Sequence, residues 1–393
     1  MFNSLPTIKS DALVRVAQRL RADSRPDKLD LGVGVYRDAD GTTPVFAVVK
    51  QSEQRLKDSE PSKSYLPPDG DPVFVAAMID IVLGKAGDEF VAVQTPGGTG
   101  AFHQALALVK ATGREPTIWV GTPTWPNHIP MIAHQGLKFA TYPFYDVATQ
   151  SLLFDQISSA LQSAERGDLF LLHGCCHNPT GADLSEAQWV HIIDLMATRG
   201  VIPIVDFAYQ GLGRGSDDDA YGVRLLFKKM PRAFIATSCS KSFGLYRERT
   251  GILIVKCESS AEAAKVEGTL QSLARINFSN PPSHGAAIVR TVLEDPMLKE
   301  AWQAELTKMR ERVRSVRTTL SEYGSFIEVN LEFLQKGSGL FATLDLNVTQ
   351  CERMGTEFAI HLPDTGRINI AGLSSKTVPR FLDAVLAVSV PAT

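Results

Sequence analysis

The sequence predicts an α/β fold, in which a large domain with a mostly parallel seven-stranded sheet sandwiched by helices is joined to a smaller α+β domain. Three observations lead to this prediction. The chain has 393 residues, whereas single hydrophobic cores stop growing at about 250–300 residues. Its middle alternates short apolar runs with helix-like stretches, which is typical of helices packed on a parallel sheet. After about residue 284 the pattern changes to a long helical stretch followed by a few strands.

Seven apolar runs are the candidate strands of the large sheet. Most of them are apolar throughout rather than alternating, which indicates strands buried on both faces. They are FVAVQ at 90–94, TIWVG at 117–121, KFATY at 138–142, LFLLH at 169–173, VIPIVD at 201–206, AFIATS at 233–238 and GILIV at 251–255. Segments 99–110, 185–199 and 219–229 supply the crossover helices between them.

The end of the chain predicts the smaller domain. Residues 285–323 form a long helical stretch rich in Arg and Glu. The elements expected after it are strands FIEVN at 326–330, LFATLDL at 340–346 and RINIAGL at 367–373, and a closing helix near 377–388. The expected division of the chain is 1–36 as N-terminal arm and first part of the small domain, 37–290 as large domain, and 291–393 as small C-terminal domain.

The composition disfavours several classes of function. A net charge of −3 gives no reason to expect binding to nucleic acid or to a membrane surface, and no segment approaches the ~18 consecutive apolar residues of a membrane span. The five cysteines are odd in number and lack CxxC spacing, so we expect no disulfide framework. A cytoplasmic protein fits these features best.

The first candidate site is a glycine-rich turn in QTPGGTGAFHQALAL, between a strand and a helix. Gly97, Gly98 and Gly100 allow the backbone to approach a ligand, and Thr99 stands where the helix would begin. Free N–H groups and the helix dipole at that point suit a phosphate. The alternative is a tight turn without a ligand. The run matches neither a P-loop nor the dinucleotide GxGxxG pattern, which disfavours a nicotinamide oxidoreductase.

The second candidate is LLHGCCHNPTG at 171–181, which raises the question of a metal site. His173, Cys175, Cys176 and His177 are potential zinc ligands. Four ligands within five residues of extended chain would project to opposite sides, and no distant pair completes a tetrahedron. We therefore expect no metal here and a small buried cysteine pair instead.

The third candidate is Asp206, which follows the apolar run of VIPIVD. Burying a carboxylate is costly unless a cation or hydrogen-bond donor meets it, and a protonated pyridine nitrogen would serve. The alternative is an aspartate that caps the next helix.

The fourth candidate is Lys241 in SCSKSFGLYRERTG, just past another apolar run. A lysine in this place is commonly a solvated surface residue. Here it lies among small residues and ahead of Arg249, and neighbouring cations lower the pKa of a lysine and make it nucleophilic. Ser238 and Arg249 could complete the phosphate site that begins at the glycine-rich turn.

Taken in order, these motifs resemble the fold-type I pyridoxal-phosphate (PLP) aminotransferases, in the aspartate/aromatic amino acid branch of class I. Nine segments carry the resemblance over essentially the whole chain, and although each is weak alone, their shared order is unlikely to arise by chance. They are GVGVY at 32–36, SYLPPDG at 64–70, GGTGA at 97–101, TWPNH at 124–128, HGCCHNPTG at 173–181, DFAYQG at 206–211, SCSKSFGLYRERTG at 238–251, NFSNPPSHGA at 277–286 and GRINIAG at 366–372.

The resemblance implies roles around the cofactor ring. Lys241 matches the lysine that binds PLP as a Schiff base, and Asp206 matches the carboxylate that keeps the pyridine nitrogen protonated. His128 resembles the histidine behind that carboxylate. The remaining ring contacts are expected from Tyr209 and Asn178 at the phenolic oxygen and Trp125 stacked on the ring.

The resemblance also implies a phosphate site and a dimer. The residues expected at the phosphate are Gly98, Thr99, Ser238 and Arg249. Tyr65 matches a tyrosine that reaches the phosphate from the neighbouring subunit. A homodimer with shared active sites is therefore implied, with an N-terminal arm around residues 1–10 that embraces the partner.

Two arginines match the substrate-binding residues of the family. Arg367 matches the arginine that holds the α-carboxylate in a bidentate fork. Arg275 matches the arginine that crosses the interface to the distal carboxylate of a dicarboxylate. Val33 and Gly34 match the flap that closes over the substrate. Trp125 and Asn178 would contact the substrate as well. Phe278 and Leu340 depart from the tyrosine and methionine common at these places, which leaves side-chain preference open.

The implied reaction is transfer of an amino group from aspartate, and from aromatic amino acids as a further possibility, to 2-oxoglutarate by ping-pong kinetics. The alternative is an enzyme primarily for tyrosine and phenylalanine with dual dicarboxylate specificity. A non-catalytic PLP-fold sensor is a remote alternative. The sequence leaves the aspartate/aromatic preference undecided, because a distal arginine that swings aside is compatible with both.

Overall fold

The computed structural model describes residues 2–5, 12–84, 89–326 and 331–389. Its α-helices are α1 Ala12–Ala22, α2 Ala47–Ser59, α3 Pro72–Leu83, α4 Gly97–Ala111, α5 His128–His134, α6 Phe154–Ser163, α7 Glu186–Arg199, α8 Ser216–Asp219, α9 Tyr221–Lys229, α10 Cys239–Ser242, α11 Ser260–Asn277, α12 Ser283–Glu294, α13 Pro296–Phe326, α14 Phe333–Lys336, α15 Val348–Phe358 and α16 Val378–Ser389. Short 3-10 helices lie at Phe2–Ser4 and Ile370–Gly372.

The strands are β1 Leu29–Asp30, β2 Phe90–Pro96, β3 Thr117–Thr122, β4 Lys138–Pro143, β5 Tyr145–Asp146, β6 Ser151–Leu152, β7 Leu169–His173, β8 Ile202–Phe207, β9 Ala233–Ser238, β10 Thr250–Lys256, β11 Phe341–Thr343, β12 Ile360–His361 and β13 Arg367–Asn369. Seven of them form one sheet in the order β2-β10-β9-β8-β7-β3-β4. Only β10 runs against its neighbours within this sheet. The predicted α/β fold with a mostly parallel seven-stranded sheet is therefore confirmed, and all seven strands predicted for this sheet belong to it.

Helices cover both faces of this sheet, as the continuously apolar strands predicted. On one face, Phe102 and Leu106 of α4 and Leu270 of α11 pack with Ile118 and Leu253 of the sheet. On the other face, helices α3, α6, α7, α9 and α12 pack on the alternate side chains of the same strands. Both faces are thus closed to water, and the polar residues of the strands collect at their ends.

The crossover helices begin and end where their sequences provide the signals. The predicted segment 185–199 forms α7, whose Ser185 and Gln188 make a reciprocal capping box. Gly200 ends it in the left-handed conformation, with φ of 69°. The segment 99–110 forms α4, and 219–229 forms mainly α9, which follows the short helix α8.

The predicted continuous helix over 285–323 is wrong, because the structure has two helices there, α12 and α13. The break falls at Asp295, whose Oδ1 accepts hydrogen bonds from the backbone N–H groups of Met297 (2.8 Å) and Leu298 (3.2 Å). Pro296 lacks an N–H and favours the first position of a new helix. Capping aspartate and proline together therefore end one helix and start the next.

The C-terminal elements contact the beginning of the chain. Strand β1 pairs in parallel with β12, and Arg15 and Arg19 of α1 form ion pairs with Asp364 at 2.9 and 2.8 Å. Strand β11 pairs antiparallel with β13, so the predicted strands 340–346 and 367–373 form in shortened versions. The predicted closing helix is α16.

Some expectations fall partly outside the described residues. Phe326 of the predicted strand 326–330 is the last residue of α13, and 327–330 lie outside the described residues. Of the predicted arm around 1–10, only 2–5 are described. Across the ranges that the structure does describe, none of the helices combines the length and apolar character needed to cross a bilayer.

We predict that Ser185→Ala lowers the free energy of unfolding by about 1 kcal/mol, because α7 loses the side-chain acceptor at its first turn. The measurement is urea unfolding at one protein concentration. Ser185→Asn, which keeps a capping oxygen, is the control and should stay close to the unsubstituted protein. Equal losses in the two variants would contradict the capping role.

Candidate active site

The candidate site forms at one edge of the seven-stranded sheet. Strands β2, β7, β8 and β9 end at this edge, and the antiparallel β10 begins there. The register places Thr250 opposite Pro96 and Gly251 opposite Ser238, while His173 lies opposite Asp206. The loops that follow the strand ends therefore converge, as expected beyond the carboxyl ends of parallel strands.

These loops enclose a cavity with about 480 Å³ of space between atoms, including the part open to solvent. The residues predicted from sequence that line it are Gly98, Thr99, Trp125, Asn178, Asp206, Tyr209, Ser238, Lys241 and Arg249. Phe102, Ala208 and Ser240 also line it and were not predicted, because small and apolar residues carry no chemical signal in sequence.

The start of helix α4, which follows β2 directly, forms one wall of the cavity. Among the residues that the structure describes, no side chain caps this helix, so the N–H groups of its first turn face the cavity without a side-chain acceptor. Gly97 has φ of 70°, and a Cβ there would lie 2.8 Å from Nη2 of Arg249. A Cβ on Gly98 would lie 3.2 Å from Cβ of Ser238. This close packing of glycines, hydroxyl and guanidinium around a helix start suits an anion.

Asp206 lies at the end of β8 with His128 behind it. Nε2 of His128 is 3.3 Å from Oδ2 of Asp206, and Nδ1 of His128 is 2.8 Å from Oγ1 of Thr124. Burial on its own would raise the pKa of Asp206, but the close approach and charge of His128, with smaller effects of His173 and Lys241, bring the pKa below its usual value. Asp206 is therefore a carboxylate at neutral pH.

Lys241 lies on the short helix α10, directly after β9. Its Nζ is 4.7 Å from the centre of the Tyr209 ring. Burial is the main cause that lowers the pKa of Lys241; the charge of Asp206 opposes this and Arg249 adds to it. The prediction from sequence named neighbouring cations as the cause of the lowered pKa, but burial is the larger cause. Burial, followed by the charge of Asp206, raises the pKa of Tyr209.

Arg367, on β13, is 4% exposed and lies beside the cavity. It donates hydrogen bonds to Oδ1 of Asn178 (3.2 Å) and to the carbonyl of Gly32 (2.6 Å). Its guanidinium lies 4.3 Å from the centre of the Phe341 ring. Phe341 also accounts for the glycine at position 34, because a Cβ there would lie only 2.9 Å from Cζ of Phe341. Phe341 carries no functional signal in the sequence, because an apolar residue in a strand does not reveal which side chain it supports.

Two predicted residues lie away from the cavity of their own chain. Tyr65 is 93% exposed, and the exposed Arg275 donates a hydrogen bond of 2.6 Å to Oγ of Ser279. The two departures from the family pattern also lie outside it. Phe278 lines a neighbouring crevice together with Thr99 and Arg249, and Leu340 is buried.

Three of the four histidines and cysteines of segment 173–177 divide between two clusters, and His177 belongs to neither of them. His173 groups with His128 and Asp206, and Cys175 and Cys176 group with Asp219, each set having ligand atoms within 4.8 Å of one another. The carboxylate of Asp219 accepts hydrogen bonds from the backbone of residues 211, 213 and 214, which accounts for its burial. The two cysteines are buried thiols. The expected lack of a metal stays a prediction.

The sequence model of the family "Aminotransferase class I and II" matches residues 26–385 of the chain. The chain belongs to the class I and II aminotransferases. This confirms the resemblance and the enzyme class predicted from the motifs. The aminotransferase is 46% identical to the tyrosine aminotransferase of Rhizobium meliloti (strain 1021), over 95% of this chain and 97% of the relative.

Other relatives of the aminotransferase differ in the substrate that their names state. It is 37% identical to the aspartate aminotransferase of Haemophilus influenzae, over 99% of this chain and 100% of the relative. The aromatic-amino-acid aminotransferase of Burkholderia pseudomallei, whose structure is covalently bound to pyridoxal phosphate, has a TM-score of 0.94 and 35% identity, covering 99% of both chains. The names of its relatives thus leave the amino-acid preference of this aminotransferase open.

We predict that His128→Phe raises the pKa of Asp206 in the aminotransferase, because burial then acts without the opposing contact and charge of His128. Asp206 would bind a proton at higher pH, so the acid limb of the profile of kcat/KM against pH should move to higher pH. His191→Phe, at an exposed position of α7, is the control and should leave that limb in place. An unmoved limb in His128→Phe would contradict the assigned electrostatics.

Proposed function

We propose that this aminotransferase binds PLP covalently through Lys241 and transfers amino groups from aspartate and from aromatic amino acids to 2-oxoglutarate. The observation that carries the proposal is one cavity lined by Lys241, Asp206 and the start of helix α4. The covalently bound PLP of the Burkholderia pseudomallei relative supports it.

The residues of the cavity fit the three chemical groups of PLP. The first turn of α4, which no side chain caps, suits the phosphate together with Thr99, Ser238 and Arg249. The carboxylate of Asp206 suits a protonated ring nitrogen, and Nζ of Lys241 suits the aldehyde carbon. Trp125 lines the same cavity and supplies an aromatic face for the ring.

PLP, when bound, supplies an electron sink for the amino acid's Cα. Asp206 holds the proton at the ring nitrogen, because a carboxylate with a lowered pKa keeps its charge at neutral pH. Lys241 moves the proton that leaves Cα, and its lowered pKa favours the free amine that this task needs. Tyr209 and Asn178 donate hydrogen bonds to the ring oxygen, since the raised pKa of Tyr209 keeps its hydroxyl protonated.

Arg367 is the proposed partner of the α-carboxylate. Its guanidinium is fixed by Asn178, by the carbonyl of Gly32 and by the ring of Phe341, which prepares the planar fork for bidentate binding. The flap with Val33 and Gly34 is tethered nearby, because Nδ2 of Asn369 donates hydrogen bonds of 2.7 Å to the carbonyls of Val33 and Val35. This connects substrate binding to the position of the flap.

A homodimer with shared sites is part of the proposal. Tyr65 and Arg275 are exposed and distant from the cavity of their own chain, which supports a role in the neighbouring subunit's site. The partner subunit's Tyr65 would contact the phosphate, and the partner subunit's Arg275 would pair with the distal carboxylate of aspartate. The arm around residues 1–10 would embrace the partner.

Dual specificity is favoured by the setting of Arg275. Its guanidinium is exposed and hydrogen bonded to Ser279 on the same segment, so it can pair with a dicarboxylate or turn away from an aromatic ring. The amino acid and 2-oxoglutarate would occupy this one site in turn, which gives ping-pong kinetics.

The division of the chain and its compartment complete the proposal. The large PLP-binding domain would span 37–290, and the small domain would combine 1–36 with 291–393. Contacts of α1 and β1 with Asp364 and β12 support this pairing of the chain ends. Five buried free cysteines support a reducing, cytoplasmic environment.

We predict that Lys241→Ala abolishes transamination while the protein still folds, because the cavity loses both its covalent attachment and its proton carrier. Turnover of aspartate with 2-oxoglutarate and the circular dichroism spectrum are the measurements. Lys256→Ala, on β10 away from the cavity, is the matched control and should retain activity. Substantial transamination by Lys241→Ala would refute the proposed chemistry.

We predict that Arg275→Leu lowers kcat/KM for aspartate by about a hundredfold, as expected when a carboxylate loses its charged partner, and changes kcat/KM for phenylalanine far less. Each amino acid is assayed with 2-oxoglutarate. Equal losses for both amino acids would argue against a contact with the distal carboxylate.

A mixed dimer tests whether the site is shared. In a dimer of one Lys241→Ala and one Arg275→Leu subunit, a shared arrangement places both substitutions in one site and neither in the other. Aspartate activity in this mixture should therefore rise well above that of either parent dimer. No recovery in verified mixed dimers would exclude Arg275 from the neighbouring site.

A further inference from the structure

A tryptophan of helix α13 is hydrogen bonded to the turn that carries Lys241. Trp302 is 1% exposed, and its Nε1 donates a hydrogen bond of 2.7 Å to the carbonyl of Ser242. Ser242 follows Lys241 directly and ends α10. The indole therefore fixes the backbone one residue from the lysine, although Trp302 itself does not line the cavity.

The same indole stacks on the next residue of the turn. The rings of Trp302 and Phe243 lie 4.5 Å apart at an interplanar angle of 7°. Gly244 then reverses the chain with φ of 66°, and a Cβ there would lie 3.2 Å from the ring of Phe46. The turn is thus confined by a hydrogen bond, a ring stack and a close backbone approach.

Helix α13 is itself anchored at this point. Glu305, three residues after Trp302, accepts hydrogen bonds from the backbone N–H groups of Ala47 (2.9 Å) and Val48 (3.2 Å) at the start of α2. The carboxylate thus caps α2 from a neighbouring helix. Trp302 is therefore presented to the turn from a fixed position.

Helix α10 needs such external support. It has four residues, and a helix of one turn is not stable by itself because nucleation costs more than a single turn returns. Its last carbonyls also lack partners within the helix. The hydrogen bond that the N–H of Gly244 donates to the carbonyl of Lys241 is long, at 3.3 Å. The direction of the Lys241 side chain therefore depends on contacts from outside the turn.

We propose that Trp302 is a positioning residue for Lys241, which it holds in the orientation for proton transfer through Ser242 and Phe243. The inference rests on the proposed role of Lys241 and extends it to a residue outside the cavity. Arg367, which is proposed to bind substrate, contacts a different set of residues. Loss of the indole should therefore slow the chemical step and leave substrate binding largely intact.

The test compares Trp302→Phe with Trp119→Phe in the full-length, PLP-loaded protein. Phenylalanine at 302 keeps an aromatic ring against Phe243 and removes the N–H donor. Trp119 is the matched control, because its Nε1 donates a hydrogen bond of 3.0 Å to Asp168 at the opposite edge of the sheet. For Trp302→Phe we expect kcat to fall about tenfold to a hundredfold, the scale of small displacements of a catalytic group, with KM for aspartate nearly unchanged. For Trp119→Phe we expect neither change.

A second readout does not depend on turnover. The reaction of Lys241 with an amine-acylating reagent is followed against pH by peptide mass spectrometry, after PLP has been removed. A loosened turn admits water to Nζ, so the pH midpoint of acylation should rise in Trp302→Phe and stay in place in Trp119→Phe. Benzothienylalanine at position 302, which keeps the shape of the indole without its N–H, should act like Trp302→Phe and serves if that variant fails to fold.

The outcomes separate this inference from the proposed function. Equal kcat, KM and acylation midpoints for the variants at 302 and 119 would overturn the positioning role. A higher KM and a lower stability for Trp302→Phe, with the acylation midpoint unchanged, would also overturn it. A purely structural role of Trp302 would give this result. Activity in Lys241→Ala would instead refute the function on which the inference rests.

Discussion

A sheet covered by helices on both faces can hold charged side chains only beyond the ends of its strands, because an unpaired charge between the sheet and a helix would cost far more than the packing provides. Asp206 shows this constraint at work. It occupies the end of β8, where His128 meets its carboxylate at 3.3 Å. Lys241 and Ser238 follow the end of β9, and Asn178 lies in the loop after β7. Parallel neighbours bring these ends together.

The electrostatic state of the cavity follows from this crowding. Burial acts in opposite directions on an acid and a base: it would raise the pKa of Asp206, and it lowers the pKa of Lys241. The close approach and charge of His128 reverse the effect on the acid, whereas the charge of Asp206 opposes the effect on the lysine without reversing it. The result is a carboxylate that keeps its charge beside an amine that gives up its proton more readily, which is the combination that the proposed chemistry requires.

Helix α13 connects the two halves of the site. Near the beginning of α13, Trp302 donates a hydrogen bond to the turn that carries Lys241. Further along, the buried Arg317 donates hydrogen bonds to the carbonyls of Ser338 (3.0 Å), Gly339 (3.0 Å) and Phe341 (2.5 Å). These bonds fix the strand whose Phe341 ring lies under Arg367. The proposed cofactor lysine and the proposed carboxylate-binding arginine are therefore supported by one rigid element, although they are far apart in sequence.

The sequence by itself determined the sheet and most of the cavity. Continuous apolar runs are a local signal for strands buried on both faces, and polar residues at their ends mark the site, so Asp206, Lys241 and Asn178 could be found without coordinates. Other features depend on contacts between distant segments. The helix break at Asp295 had a local signal in its capping aspartate and proline, which the long polar helical pattern obscured. The support of Arg367 by Phe341, and of Lys241 by Trp302, had none. An apolar or aromatic residue reads as core in any sequence, and only the tertiary structure decides which functional group it contacts.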